Sequence, residues 1–150
     1  MSDTISPLAA VGPLLALFTV GCERSPDLGE SSVPLVVSQS CEVQTGCTAS
    51  AGDMSVKFTL GPDLRALSAF PVRVVVPAGR SVDSVTASFA MQGMDMGPNR
   101  YRLISDGAES WIGNVTLPVC ASGRRDWTLH LDIASEGDRF VAEAPFSLTR

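Results

Sequence analysis

From residue 33 onward, hydrophobic and polar residues alternate in short runs separated by turn-forming residues. One clear apolar row is Trp127, Leu129, Leu131 and Ile133, and a second is Val56, Phe58 and Leu60. Period-2 alternation is typical of antiparallel sheets with one buried and one solvated face. The pattern predicts strands at 33–39, 54–60, 71–77, 82–90, 99–105, 110–118, 126–133 and 139–148.

Seven or eight strands in a single domain predict an all-β fold, an immunoglobulin-like antiparallel β-sandwich over residues 33–150. Only 62–69 has a pattern that fits a single helical turn. The length of 150 residues suits one domain.

The first 22 residues differ from the rest. Residues 8–22 are a short apolar run that ends in a cysteine. The run is shorter than the ~20 apolar residues that a spanning helix needs, and its length fits a secretory signal. The tetrad from Thr19 to Cys22 resembles a bacterial lipobox, which implies cleavage before Cys22 and a lipid on that cysteine.

We therefore expect a lipoprotein-type signal peptide at 1–21, a flexible tether at 22–32, and an exported domain. The lipid on Cys22 would anchor the protein to a membrane of the bacterial cell envelope, facing the periplasm. An uncleaved amphiphilic N-terminal helix is the alternative.

Composition excludes several function classes. The net charge is −5, and Lys57 is the only lysine, so a sequence-independent nucleic-acid binder is not expected. Because His130 is the only histidine, most zinc sites built from several histidines are excluded, and a Ser-His or Cys-His catalytic pair becomes a weaker hypothesis. No two residues lie at a spacing that suggests a general acid and a general base acting together. We therefore predict that the protein is not an enzyme.

If Cys22 carries lipid, three cysteines remain, Cys41, Cys47 and Cys120. An oxidising compartment favours one disulfide and leaves one thiol over. Either Cys41 joins Cys47 across a short loop, or Cys120 joins one of them, and the sequence leaves both open.

The densest chemical signal is the segment 90–98, which contains Met91, Met94 and Met96 among glycines and a proline. This composition predicts a loop between two strands. Thioether sulfur is a soft, neutral donor that selects Cu(I), and the spacing allows three sulfurs to converge on one ion. The alternatives are a methionine lid over one end of the sandwich and a hydrophobic contact surface.

If the last five strands are simple antiparallel neighbours, this loop and the loop 117–125 lie at the same end. Cys120 is then a candidate fourth ligand, provided that it is not in a disulfide. His130 falls in the middle of a strand and is not expected to reach the site.

The stretch 85–133 resembles YtkA-like and FixH-like bacterial envelope domains. The shared features are the Met94-Asp95-Met96-Gly97 turn after a strand and the final Gly-x-x-x-Trp-x-Leu-x-Leu strand at 123–131. The resemblance implies an immunoglobulin-like sandwich and a role in copper handling or cytochrome oxidase assembly. Because no histidine lies near the turn, Cu(I) is the expected form.

Two functions follow as hypotheses. The first is a non-catalytic envelope lipoprotein that binds Cu(I) through Met91, Met94, Met96 and Cys120, with a copper acceptor or oxidase assembly factor as partner. The second is a metal-free scaffold that presents an interaction surface to another envelope protein. In the second case, a basic patch would be formed by Arg100, Arg102, Arg124 and Arg125.

Overall fold

The computed structural model describes residues 31–149. The predicted signal peptide and Cys22 lie outside the described residues, as does most of the predicted tether. Within 31–149, no helix is long and apolar enough to cross a membrane.

The described chain forms eleven strands and no helix. The strands are β1 (Ser32–Pro34), β2 (Val36–Val37), β3 (Cys47–Ala51), β4 (Met54–Leu60), β5 (Phe70–Val75), β6 (Ser84–Met91), β7 (Met94–Arg102), β8 (Ile104–Ser105), β9 (Ser110–Val115), β10 (Asp126–Ser135) and β11 (Asp138–Ser147).

The strands form a two-sheet sandwich, as predicted. One sheet has the order β1-β11-β10-β6-β7, and the other has the order β2-β3-β4-β5-β9-β8. The chain passes from β5 to the facing sheet for β6 and β7, and then returns so that β9 pairs with β5. This interlocking of the two sheets is the Greek-key connection of immunoglobulin-like sandwiches.

The predicted count of seven to eight strands was too low. Two predicted strands are each divided in two, at Leu35 and at Leu103. The third addition, β3, has the sequence CTASA and lacks the large apolar residues that mark a strand. The segment 62–69 is also not the helical turn that its pattern suggested, because it forms only turns and bends.

Alternation along the strands builds the core. All four members of the row from Trp127 to Ile133 are buried, as are Val56, Phe58 and Leu60 of β4. The polar residues between them face outward, and His130 on β10 lies 3.0 Å from Glu143 on β11, between Nδ1 and Oε1. Burial of one face of each sheet therefore fixes the register of both.

The assumption that the last five strands are simple neighbours was wrong. β7 and β10 both flank β6, whereas β8 and β9 belong to the facing sheet. Leu103, buried between β7 and β8, marks the point where the chain changes sheet.

The cysteine alternatives are resolved by a disulfide between Cys41 and Cys47, whose Cα atoms are 4.5 Å apart. Among the described cysteines, Cys120 is the free thiol, and it is buried.

One pairing departs from the predicted antiparallel arrangement. β1 runs parallel to β11, with Ser32 opposite Arg139 and Pro34 opposite Val141. The first described strand therefore lies beside the last one, at an edge of the five-stranded sheet.

Candidate sulfur site

The methionine segment is a hairpin tip and an edge strand, not the predicted loop. β6 ends at Met91 and β7 begins at Met94, with only Gln92 and Gly93 between them. Gly93 has φ +75°, a conformation that suits glycine in a two-residue hairpin turn. Met91 and Met94 are paired directly across the hairpin, so their side chains leave the same face of the sheet.

A bulge follows Met94. Phe89 pairs with Asn99, so the residues from Asp95 to Pro98 face Ala90 alone on β6. The Asp95 carboxylate accepts a hydrogen bond from the Gly97 N–H at 2.9 Å. The Asn99 amide donates to the Met96 carbonyl at 3.0 Å. Because bulges re-aim side chains, Met96 does not continue the regular alternation that begins at Met94.

Cys120 lies on the segment that returns the chain from β9 to β10. Its Sγ is 3.5 Å from Sδ of Met94, although 26 positions separate the two residues. The segment carrying Cys120 and the methionine hairpin therefore meet at one end of the sandwich. The sequence-based expectation of this meeting is confirmed, although the strand arrangement from which it was inferred is different.

Hydrogen-bond donors surround the Cys120 sulfur. The Ser122 hydroxyl is 3.0 Å from Sγ, and the backbone of Ser122 and Arg124 also helps to lower the pKa of the thiol. The Ser122 bonds lower the pKa of the Cys120 thiol below its ordinary value, while burial acts in the opposite direction and raises it. The net effect favours the thiolate, which is the form that binds metal.

Arg124 connects the two segments. Its Nη1 donates to the Gln92 carbonyl at the hairpin tip, at 3.0 Å. Its Nε donates to Asp126 Oδ1 at 3.0 Å, and its Nη2 binds Oδ2 of the same carboxylate. The Arg124 bond lowers the pKa of Asp126, so this carboxylate remains ionised at neutral pH.

The sulfur pair fits a single ion. An ion about 2.3 Å from each sulfur, the metal–thiolate distance known for zinc, would subtend an S–metal–S angle of about 100° at a separation of 3.5 Å. That angle is close to tetrahedral, and thiolate with thioether is a donor set that soft ions such as Cu(I) prefer.

The structure brings two of the four predicted ligands into contact and places the other two nearby. Met94 and Cys120 are in contact, while Met91 is buried and lies opposite Met94 across the hairpin. Met96 is half-buried against the core within the bulge. Among residues 31–149, no three His, Cys, Asp or Glu side chains group as a metal site.

Sequence reasoning missed the groups that support the sulfur atoms. The sequence places Ser122 only in the predicted loop 117–125 and Arg124 also in the predicted basic patch, and Gln92 acts through its backbone carbonyl. The Ser-Gly pair two residues after Cys120 was an available signal, since such a turn can wrap backbone amides around an anionic atom.

Comparisons with known proteins add no further assignment. No protein-family model, curated protein or solved structure matches this chain.

Proposed function

We propose that this protein is a non-catalytic lipoprotein of the bacterial envelope that binds Cu(I) for copper handling or oxidase assembly. The observation that carries the proposal is the 3.5 Å contact between Met94 Sδ and Cys120 Sγ. Met94 and Cys120 are the two central ligands, and Met91 and Met96 are the candidates for the remaining positions.

The chemistry of the site supports a monovalent soft ion. One thiolate balances the single charge of Cu(I), and thioether donors add no charge. A divalent ion bound by the same thiolate and thioethers would leave one uncompensated positive charge beside the buried Cys120, which desolvation makes costly. Soft donors also discriminate against the hard cations Mg²⁺ and Ca²⁺.

The direct test is an anaerobic Cu(I) competition titration of the purified protein and three variants. Met94→Leu keeps the apolar volume and removes the thioether, and Cys120→Ser removes the soft thiolate. Met54→Leu is the matched control, because Met54 is fully buried at the start of β4 and belongs to no sulfur pair described here.

The proposal predicts one equivalent of Cu(I) bound by the parent and by Met54→Leu. Each site variant should bind at least tenfold more weakly, because losing one ligand removes a metal bond that water replaces poorly. Equal affinities in all four proteins would contradict the assigned ligands. Absence of binding in the parent would favour the metal-free interaction module instead.

Envelope anchoring rests on the sequence around Cys22 and has its own test. In a bacterial host, the parent should fractionate with membranes, and Cys22→Ser should remain an uncleaved precursor without lipid. Identical processing of the two proteins would contradict the lipoprotein assignment while leaving the copper site untouched.

A further inference from the structure

The sulfur pair joins two segments that share no backbone ladder. Met94 begins β7 in the five-stranded sheet, whereas Cys120 lies on the connection between β9 and β10. Strand pairing carries register from β7 through β6 to β10, with Met94 opposite Met91 and Thr128 opposite Ala90. Cys120 precedes β10 and lies outside this ladder, so the distance between the two sulfurs also depends on the conformation of residues 120–125.

Among the described contacts, two side-chain hydrogen bonds to backbone link these segments. Tyr101 donates to the Thr116 carbonyl at 2.5 Å, near the beginning of the connection. Arg124 donates to the Gln92 carbonyl at 3.0 Å, two residues before Met94. Both contacts lie four positions from Cys120, but the Arg124 contact reaches Gln92, two positions before Met94, whereas Tyr101 lies seven positions after Met94.

The guanidinium geometry suits this link. Arg124 holds both carboxylate oxygens of Asp126, which begins β10, and directs its remaining Nη1 at Gln92. A planar fork can engage a carboxylate with one edge and still donate elsewhere, whereas a lysine ammonium acts as a point charge. Arg124 is thus fixed to a core strand while it holds the hairpin tip.

We propose that Arg124 is a positioning residue that clamps the hairpin tip against the Cys120 segment and so preorganises the Met94–Cys120 sulfur pair for a soft metal ion. This inference rests on the proposed function. Hydrogen bonds made directly to a metal ligand typically account for 10- to 100-fold in metal affinity. Arg124 bonds the backbone two residues before Met94, so we expect an effect at the lower end of that range.

The neighbouring Arg125 provides a matched control. It carries the same charge one position along, is exposed, and contributes its backbone carbonyl to Leu148. No hydrogen bond or ion pair described here involves its side chain. Arg124→Ala and Arg125→Ala therefore remove equal charge, but only Arg124→Ala removes the hydrogen bond to the Gln92 carbonyl.

The first experiment measures Cu(I) affinity by anaerobic competition. We expect Arg124→Ala to lose about tenfold or more, Arg125→Ala to stay within about twofold, and Arg124→Lys to resemble Arg124→Ala. In a Met94→Leu background, Arg124→Ala should have no further effect, because the ligand that it positions is gone.

Three results would overturn the clamp. They are equal losses in the two alanine variants, full affinity in Arg124→Lys, or an undiminished Arg124→Ala effect in the Met94→Leu background. Either of the first two results would mean that the Cu(I) affinity depends on the positive charge and not on the hydrogen bond to Gln92. The third result would indicate that Arg124→Ala loosens the fold in general.

A second experiment needs no copper and separates the clamp from the proposed function. In a Met94→Cys protein, a short bis-electrophile should bridge the new thiol to Cys120. The bridging yield should fall when Arg124→Ala is added and stay constant with Arg125→Ala. If the parent binds no Cu(I) but the yield falls as expected, the clamp stands and the copper function fails. Equal yields would overturn the clamp.

Discussion

Leu103 occupies the space into which a side chain on Gly113 would project. A β-carbon built on Gly113 would lie only 2.7 Å from Cδ2 of Leu103. Leu103 is the buried residue at which the chain leaves β7 and enters β8, while Gly113 lies on the neighbouring strand β9. The side chain at the crossing between the two sheets therefore packs directly over Gly113 of the neighbouring strand.

We expect Gly113→Ala to lower the free energy of unfolding by about 1 kcal/mol, the low end of the cost of overpacking a core, because the atom that it meets is the end of a leucine side chain. Denaturant unfolding measures it, with Asn114→Ala, an exposed neighbour on β9, as control. In a Leu103→Ala background the cost of Gly113→Ala should shrink, because the clashing methyl group is absent. A cost unchanged by Leu103→Ala would contradict this explanation.

The disulfide should stabilise the fold moderately. Cys41 and Cys47 are six positions apart, and closing so short a loop removes about 2 kcal/mol of chain entropy from the unfolded state. Cys41→Ala with Cys47→Ala should therefore lower the unfolding free energy by about 2 kcal/mol in urea. A reductant should destabilise the parent by a similar amount and leave the double variant unchanged. An insensitive parent would show that the disulfide contributes nothing.

The Cys120 thiol should ionise below its ordinary pKa of 9.0 in the metal-free protein. Thiolate absorbance, taken as the difference between the parent and Cys120→Ser, gives the titration midpoint. Ser122→Ala should move that midpoint upward, because the Ser122 hydroxyl is the largest cause of the lowering. A midpoint at or above 9.0 would contradict the description of the sulfur environment.

The same shift gives a sign to the pH dependence of stability. When the pKa of a group is lower in the folded state than in the unfolded state, its ionisation stabilises the fold. This stabilisation is complete at pH values above the unfolded pKa, and it is lost as the pH falls through the folded pKa. The unfolding free energy of the parent, relative to Cys120→Ser, should therefore rise with pH between the measured midpoint and about 9.0. A falling difference would contradict the sign.

The remaining methionines should contribute unequally to Cu(I) binding. Met91 faces Met94 across the hairpin, whereas Met96 is displaced into the bulge. We expect Met91→Leu to weaken Cu(I) binding more than Met96→Leu in the competition titration, with thermal unfolding checked for both. A larger effect of Met96→Leu would place the ion on the bulge side of Met94.

The predictable part of this fold is the part governed by local alternation. The row from Trp127 to Ile133 and the boundaries of β4 follow directly from period-2 burial. β3 was missed because its small residues pack without a distinctive pattern. The segment 94–98 was predicted to be a loop because it contains Gly97 and Pro98. Pro98 is tolerated in β7 because an edge strand can leave the nitrogen of a proline unpaired.

The site was predictable in outline and not in detail. Soft donors at Met94 and Cys120 are visible in the sequence, and Greek-key connectivity brings their segments to one end. The hydrogen bonds from Ser122 and Arg124 depend on the conformation of a turn with no strand pairing. Such contacts are set by tertiary packing, which neither composition nor periodicity records.

The parallel pairing of β1 with β11 places the first described strand and the sulfur pair at opposite ends of the five-stranded sheet. Ser32 lies beside Arg139, whereas the sulfur end of β11 is reached at Phe146, opposite Trp127. Seven residue steps of about 3.3 Å each separate these points, a distance of about 23 Å. The described part of the chain therefore begins at the end of the sandwich remote from Met94 and Cys120. Under the proposed function, a copper acceptor would approach the end of the sandwich that β1 does not cover.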